Sequence, residues 1–494
     1  MKGTGGPVPN KISAADRTIM ARVSATSSPL LDRTLPALGR AANHSTLWVG
    51  IAAGLAATRN KWARRAALRG LAGIAIASST TNVVAKGLAR RRRPTHQVPL
   101  PRQPSRMPRS TSFPSGHSAS AAAFATGVAL ELPVLAAPVG LLAAAVGASR
   151  VVTGVHFPSD VAAGFAIGTC AGMLTVRWWP LRGHEPAAAA RPRRQAPAAP
   201  TGQGLVVVMN GAAGTSSGEL AATLTGELPD ARVVVAADGD DLPALLEQAA
   251  SGARILGIAG GDGSVRLAAG LAADRGMPLL VIPAGTVNHF ATDLGVRSAM
   301  DAVDALRAGD SVLVDLAVAG QRAFLNTAST GVYADLVRAR EELEERAGKW
   351  PAVLAALVRV LRSGRPRDLV VDGRRRRVWL LFAGNCRYEP QGAAPSYRPD
   401  LNDGQLDIRM IDGSRPLARA RLIAAVATGT LGRSRVYRTW TAPALEVRTQ
   451  DGSPVHLSAD GEVVTEGPAV ALRKRRDALL VYRPDAYRPD ARPG

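Results

Sequence analysis

The chain has 494 residues, room for about three domains of ordinary size. Lys and Arg number 61 against 39 Asp and Glu, a formal net charge of +22, so an anionic partner is expected: nucleic acid, a membrane surface or a phosphorylated substrate. Aromatics at 4% argue against stacking platforms for single-stranded nucleic acid, and Cys170 and Cys386, far apart and without metal-ligand spacing, exclude a disulfide framework. Both cysteines read as buried small hydrophobes. Much of the basic excess stands in runs beside apolar segments, Arg59 to Arg69 and Arg90 to Arg93, which favours a membrane and no nucleic acid.

Residues 1–15 are Gly/Pro-rich, and Met1 to Asn10 lacks the apolar core of a signal peptide. Ala14 to Asn43 has an amphipathic helical pattern broken at Pro29 and Pro36. Five apolar, Ala-rich runs follow at 45–58, 66–85, 118–132, 133–148 and 158–178. Each is close to the lower limit of about 17–20 residues for a membrane span. A buried bundle in a soluble protein has the same pattern, but five such runs in succession favour insertion. Basic residues from Arg59 to Arg69 place that end in the cytoplasm, and Arg177-Trp178-Trp179 supplies a second basic, aromatic flank.

On that topology three polar stretches meet outside the bilayer. The first holds Lys86 and Arg93-Pro94. The second is Pro114-Ser115-Gly116-His117, at a helix start whose free N–H groups and dipole attract an anion. The third runs from Ser149-Arg150 to His156 and Asp160, a His–Asp pair at i,i+4 with a guanidinium nearby. Alone, this third stretch reads more simply as a helix-connecting loop with a surface His–Asp pair. Together, the three offer cations, neutral donors and two histidines, which fits phosphoryl transfer through a phosphohistidine without metal.

The pattern Lys-x6-Arg-Pro, Pro-Ser-Gly-His, Ser-Arg-x5-His-x3-Asp resembles the type 2 phosphatidic acid phosphatase (PAP2) family over roughly residues 15–180. The resemblance implies His156 as nucleophile, Asp160 as its partner and His117 as general acid. It implies phosphate binding by Lys86, Arg93, Ser115, Gly116 and Arg150.

Residues 181–203 form a basic Pro/Ala mixture that reads as a semi-rigid linker able to lie on anionic headgroups. The periodicity then changes. Buried-strand runs at 205–209, 232–236, 255–259 and 279–282 alternate with helical stretches such as Leu242 to Ala250 and Ser264 to Ala273. This order predicts a parallel sheet with helices on its faces and ligands where its strands end. The loops there are Asn210-Gly211-Ala212-Ala213-Gly214, Gly260-Gly261-Asp262-Gly263-Ser264 and Pro283-Ala284-Gly285-Thr286-Val287-Asn288. Three glycine-bearing loops at the ends of strands favour a nucleotide site. No Gly-x4-Gly-Lys-Ser/Thr is present, so it is not a P-loop.

Gly-Gly-Asp-Gly and Pro-x-Gly-Thr-x-Asn-x-Phe-Ala resemble the diacylglycerol kinase catalytic domain family, which includes sphingosine kinases and bacterial lipid kinases, over roughly 204–485. Many relatives have Asp where this chain has His289. The resemblance implies ATP and Mg²⁺, with nucleotide contacts from Asn210, Gly260, Gly261, Asp262, Gly263, Gly285, Thr286 and Asn288. Strand-like runs fill much of 310–485, with helices near 334–363 and 416–431, and the family's second domain is a β-sandwich. From residues alone, Asp400 to Gln405 reads equally as a hairpin turn or an oxygen-rich metal loop. The resemblance implies a metal held by Asp400, Asp403 and the Gln405 carbonyl, and a general base at Asp460, which otherwise reads as a turn. Tyr-Arg-Pro-Asp-Ala occurs at 482–486 and 487–491, in a tail expected to lack fixed structure.

The expected fold class is therefore multidomain. An all-α transmembrane helical bundle occupies 1–180 and a linker 181–203. An α/β nucleotide-binding domain spans 204–305, a β-sandwich domain 306–485, and a tail 486–494. The expected protein is a multi-pass inner-membrane enzyme with two activities. A phosphatase needing no cofactor faces outward and acts on a lipid phosphate. A cytoplasmic kinase phosphorylates a lipid alcohol. The alternatives are one active domain with the other as anchor or regulator, or a non-enzymatic lipid-binding scaffold.

Overall fold

The computed structural model describes residues 13–26, 28–58, 60–85, 91, 93–94, 111–181, 186–193, 195–211, 217–237, 239–285, 288–331, 365–391, 397–465 and 467–484. Lys86, Thr286, the expected helix near 334–363 and the tail from 485 lie outside them. The chain divides into two compact units between Leu181 and Arg182.

The first unit is helical: α1 (Ser13–Ala25), α2 (Pro29–Ala41), α3 (Thr46–Ala57), α4 (Lys61–Ser79), α5 (Gly116–Glu131), α6 (Ala136–Val152) and α7 (Pro158–Leu174). Pro29 opens α2 at a position where a missing N–H costs nothing, while Pro36 is accommodated inside it. Small residues let the helices approach closely. A Cβ on Gly164 would stand 2.4 Å from Ser115 O, and one on Gly168 2.1 Å from Ala119 O. These two glycines, four apart on one face of α7, seat it against α5.

Two spans of 20 residues, Pro133–Val152 and Pro158–Arg177, are long and apolar enough to cross a membrane, the latter continuing past α7 in a short 3-10 turn. Among the described residues the other helices do not meet that test. The basic stretch before residue 70 is not a solvated loop. Asn60 caps α4 by accepting from Trp62 N, and Arg65 and Arg69 turn inward from that helix onto Glu131. Arg69 also donates to Thr175 Oγ1 and the Trp179 carbonyl, and both guanidiniums lie over the Trp179 ring. The start of α4, the end of α5 and the turn after α7 are thus tied together by one buried ionic knot. The opposite end of the bundle gathers the polar motifs.

In the second unit, β1 (Leu205–Asn210), β2 (Arg232–Ala236), β3 (Ile255–Gly260) and β4 (Leu279–Pro283) pair in parallel in the order β2-β1-β3-β4. Helices α8 (Ser217–Glu227), α9 (Leu242–Ser251), α10 (Asp262–Arg275), α11 (His289–Leu294) and α12 (Ala299–Ala308) connect or follow them. Next come β5 (Ser311–Ala319), β6 (Arg322–Phe324), β7 (Thr327–Gly331), β8 (Arg367–Val371), β9 (Arg374–Asn385), β10 (Leu406–Asp412) and α13 (Ala418–Ala427). The last five strands are β11 (Tyr437–Ala442), β12 (Ala444–Thr449), β13 (His456–Ala459), β14 (Glu462–Thr465) and β15 (Ala469–Tyr482).

The two expected subdomains of this unit are not consecutive pieces. β15 pairs antiparallel with β12 and β5, and its end pairs in parallel with β4 at Val481 and Leu279. All fifteen described strands therefore join one hydrogen-bonded network. Val314, Leu316, Leu479 and Val481 pack into the core of the parallel sheet, while Ala317 and Leu472 pack into a second core with Leu381, Leu406 and Val447. Two long strands serve both cores, so a boundary at 305 does not separate them.

The expected linker belongs to this unit too. Ala188 bridges Asp400 and Ala190 bridges Leu313, while Ala187, Ala196 and Ala199 are buried in the first core. Its alanines pack and its amides pair, so a Pro/Ala-rich composition did not report its role. Tyr482 is also buried, with its hydroxyl donating to Pro197 O. Cys386 is buried as expected, but Cys170 is exposed on α7.

Candidate functional sites

Arg93, Ser115, Gly116, Arg150, His156 and Asp160 converge at one end of the bundle. Ser115 caps α5, its hydroxyl accepting from Ser118 N, and its own N–H donates to Asp160 O, joining the starts of α5 and α7. The Arg150 carbonyl at the end of α6 accepts from Val155 N and His156 N, which folds the loop back and presents the imidazole. Arg93 donates to Val155 O at 2.8 Å, and its guanidinium lies 3.3 Å from His156 Nε2. Gly39 leaves room for Arg150: a Cβ there would stand 3.1 Å from Arg150 Nη1. Gly116 is open, with nothing within 4 Å of where a Cβ would be. His117 Nε2 is 2.8 Å from Asn43 Oδ1, on the turn before α3.

Arg150 Nε and His156 Nδ1 are buried without hydrogen-bond partners among the described residues. Burial lowers the His156 pKa, opposed by Asp160, and the neighbouring arginines lower it further. The ring is thus held neutral, as a nucleophile requires. Burial likewise lowers the Arg93 pKa, with Asp160 opposing.

Asp160 faces His156 at 3.7 Å between Oδ2 and Nδ1, beyond hydrogen-bond reach. Its oxygens serve other donors. Oδ1 accepts from Arg91 Nη1 at 2.8 Å, and Oδ2 accepts from Phe157 N at 2.9 Å and from the Ser112 hydroxyl. Arg91 also reaches Asp16 on α1 at 2.6 Å, and Asp16 accepts from Ser159 N and Ser159 Oγ. Sequence reasoning missed Asp16, Ser112 and Asn43. Arg91 was visible only as part of a basic run.

In the second unit the glycine loops meet as the strand ends require. A Cβ on Gly285 would stand 2.4 Å from Gly261 Cα, so the loops after β3 and β4 touch through backbone alone. Asn288 sits at φ +52°, accepts from Gly285 N and donates to Gly285 O. Asp262, in the first turn of α10, accepts from His289 N and Phe290 N. It caps α11, so the backbone of His289, not its side chain, makes this link. Asn210 donates to Ser264 Oγ at 3.0 Å, and a Cβ on Gly263 would meet Glu462 Oε1 at 3.2 Å.

Asp460 sits at φ +47° in the β13–β14 turn, beside that same loop. Its carboxylate accepts from the amides of Leu325, Asn326 and Thr327 at 2.7, 2.9 and 2.8 Å. Desolvation raises its pKa, outweighing those donors and Arg266. Asn326 Nδ2 reaches Asp262 Oδ1 at 3.4 Å, and Arg266 of α10 pairs with Glu462. Buried Arg398 completes the frame, donating to Asn326 Oδ1, Leu325 O and Asp293. Asn326, Arg398 and Arg266 carry no motif and were not singled out in the sequence.

The expected metal ligands are held differently. Asp403 accepts from Gln405 N and Arg387 N, Asp400 from Asn402 N, and the Gln405 carbonyl from Cys386 N. Among the described residues, the acidic and thiol groups that cluster here are Asp315, Cys386 and Asp403, without Asp400. The Lys474 ammonium lies against them. Each of the three expected ligand groups thus already accepts a backbone N–H within the chain.

Three family profiles match the chain: the PAP2 superfamily over 67–184, the diacylglycerol kinase catalytic domain over 204–319, and the YegS C-terminal NAD kinase beta sandwich-like domain over 326–484. A "Probable lipid kinase YegS-like" of Pseudomonas aeruginosa (strain UCBPP-PA14) is 30% identical over 254 residues, covering 50% of this chain and 82% of its own. The decaprenylphosphoryl-5-phosphoribose phosphatase of Mycobacterium tuberculosis (strain ATCC 25618 / H37Rv) is 37% identical over 170 residues, covering 32% of this chain and 90% of its own. Among solved structures, a transmembrane PAP2-type phosphatidylglycerolphosphate phosphatase from Bacillus subtilis is 30% identical, covering 34% of this chain and 85% of its own, with a TM-score of 0.28. The chain is thus a fusion, belonging to the PAP2 superfamily through its first unit and to the YegS-like, diacylglycerol-kinase family of lipid kinases through its second.

Proposed function

We propose that the protein is a bifunctional membrane enzyme, a lipid-phosphate phosphatase joined to an ATP-dependent lipid kinase. The observation that carries the first half is the convergence of Arg93, Arg150 and neutral His156 around unpartnered buried nitrogens. A phosphoryl group seated there takes charge from both guanidiniums and from the start of α5 at Ser115 and Gly116. His156 Nε2 attacks phosphorus, and the bond to the lipid oxygen breaks. His117, oriented by Asn43, gives that oxygen a proton. Water then attacks the phosphohistidine, releasing inorganic phosphate and restoring the imidazole. Asp160 stabilises positive charge on the ring. Lys86 completes the phosphate site by resemblance, and this half needs no cofactor. A polyprenyl-type lipid phosphate is the leading substrate class, from the name of the mycobacterial relative.

In the second unit, ATP lies over the loops at Asn210, Gly260 to Gly263 and Gly285 to Asn288. Asp460 takes the proton from a lipid hydroxyl, such as that of diacylglycerol, as its oxygen attacks the γ-phosphorus and ADP leaves. Magnesium enters with the nucleotide as part of the substrate.

Membrane insertion is supported by the two long apolar spans and by side chains that the bundle turns outward. Val49, Leu68, Val134, Leu141 and Met173 are all more than half exposed. The phosphatase site faces outside and the kinase faces the cytoplasm, where ATP is. Action on opposite leaflets or on different lipids prevents a futile cycle. A lipid panel assayed with and without ATP and chelator tests this reading. His156→Asn should abolish phosphate release and spare transfer from labelled ATP, and Asp460→Asn should do the reverse. Chelator should stop the kinase alone. One variant silencing both activities, or neither variant silencing its own, would overturn the assignment.

A further inference from the structure

The second unit encloses a lysine where acidic and thiol groups gather. Lys474, on β15, has no exposed side-chain surface. Its Nζ lies 2.6 Å from Asn385 Oδ1, 2.9 Å from Cys386 Sγ, 3.3 Å from Asp315 Oδ2 and 3.9 Å from Asp403 Oδ1. An ammonium has three protons, and the first three of these neighbours receive them. Both carboxylates also accept backbone amides. Asp315 accepts from Gly404 N and Asp477 N, and Asp403 from Gln405 N and Arg387 N, all at 2.8 Å. A Cβ on Gly404 would meet Arg476 Nε at 2.8 Å, so a second cation borders the same turn.

We propose that Lys474 is the resident cation of this site, holding the 400–405 turn against β5 and β9 in the way a bound divalent ion would. Hard divalent ions take six to eight oxygens at about 2.0–2.6 Å. Here the centre of the cluster is filled by nitrogen, and one neighbour is a sulfur, a soft atom that hard divalent ions do not favour. One ammonium beside buried Asp315 and part-exposed Asp403 leaves a single negative charge, and the Arg476 guanidinium borders the same turn. Charge compensation at this turn is therefore built into the chain. The metal requirement of the unit reduces to the magnesium that accompanies ATP.

The full-length protein in detergent, free of nucleotide, provides the test. Its readouts are Mn²⁺ binding by electron paramagnetic resonance and thermal unfolding with Mn²⁺ or with chelator. They do not depend on kinase activity, so failure here leaves the lipid-kinase reading standing. The wild type should bind no Mn²⁺ tightly, and its transition should be the same in both conditions. Lys474→Ala should unfold at lower temperature and recover part of the loss in Mn²⁺, as the carboxylates recruit an ion. A tightly bound Mn²⁺ in the wild type that Asp403→Asn removes would overturn the proposal, whether or not Lys474→Ala folds.

Discussion

Asp16 and Asp160 are 144 positions apart in the sequence and share one guanidinium, that of Arg91, at 2.6 and 2.8 Å. Asp16 lies outside the stretch that the PAP2 profile matches, yet through Arg91 and Ser159 it holds the carboxylate beside the candidate nucleophile. Both carboxylates are buried and Arg91 is about a quarter exposed. Asp16→Asn removes one charge from this chain of contacts. The expected cost is about 1–3 kcal/mol of stability, Arg91 keeping Asp160 and the Ser159 hydroxyl as partners and some access to water. Phosphatase kcat should fall roughly tenfold, since Asp160 can then turn away from His156. Kinase activity should be unchanged. An Asp16→Asn enzyme with wild-type kcat would show that α1 is only packing.

The pH dependence of the phosphatase follows from His156. Its pKa is lowered by burial first, against the opposing pull of Asp160. In the proposed mechanism the attacking imidazole must be neutral, so kcat/KM should rise with pH along an acid limb below the ordinary histidine value and then level. Stability follows the same sign. Between the lowered folded value and the ordinary unfolded one, the unfolded chain binds more protons. The contribution of His156 is therefore complete above the unfolded value and is lost as pH falls toward the folded one. A kcat/KM profile still rising above the ordinary histidine range would contradict a neutral buried ring.

How much was legible in the sequence differs between the units. Apolar runs gave the helices of the bundle to within a few residues, because each buries a continuous face. Short runs of Val, Ile and Leu gave the four parallel strands. β15 was legible only over its first five residues. Arg473 to Arg476 and Asp477, at φ +48°, break its pattern, and the register slips between Arg475 and Leu479. A charge run is usually solvated, so nothing local announced that Lys474 would be enclosed. β13 and β14 have four residues each, too few for periodicity to register. The motif residues announced themselves as residue types at fixed spacing. Their supports act through distant contacts, Asp16 with Ser159, Asn326 with Asp262 and Arg398 with Asp293, which no local pattern records.

Asp460 supplies a test in which charge and shape separate. Asp460→Asn keeps the volume but turns an NH₂ group toward backbone amides that need an acceptor. That mismatch should cost about 1–3 kcal/mol of stability. ATP-dependent transfer should fall at least about a hundredfold through loss of the base. In the wild type, the pKa raised by desolvation puts the acid limb of kinase activity above the usual carboxylate range. The sign for stability is opposite to that for activity. A raised carboxyl stabilises the fold below its unfolded value, and that contribution is lost as pH rises through the folded value. An Asp460→Asn protein retaining transfer would leave Asp460 as an anchor of the 325–327 turn.

Two glycine substitutions probe the units separately. Ala at 168 puts a methyl 2.1 Å from Ala119 O, forcing α7 away from α5 and spreading Asp160 from Ser115. Ala at 285 puts one 2.4 Å from Gly261 Cα and parts the two nucleotide loops. Overpacking of this kind costs about 1–3 kcal/mol where the backbone must shift. Gly168→Ala should lower phosphatase kcat/KM at least tenfold and leave the ATP KM alone, while Gly285→Ala should raise the ATP KM and spare phosphate release. The crossed result, with either substitution acting on the other activity, would mean that the loops around the methyl groups are not where the two chemistries occur.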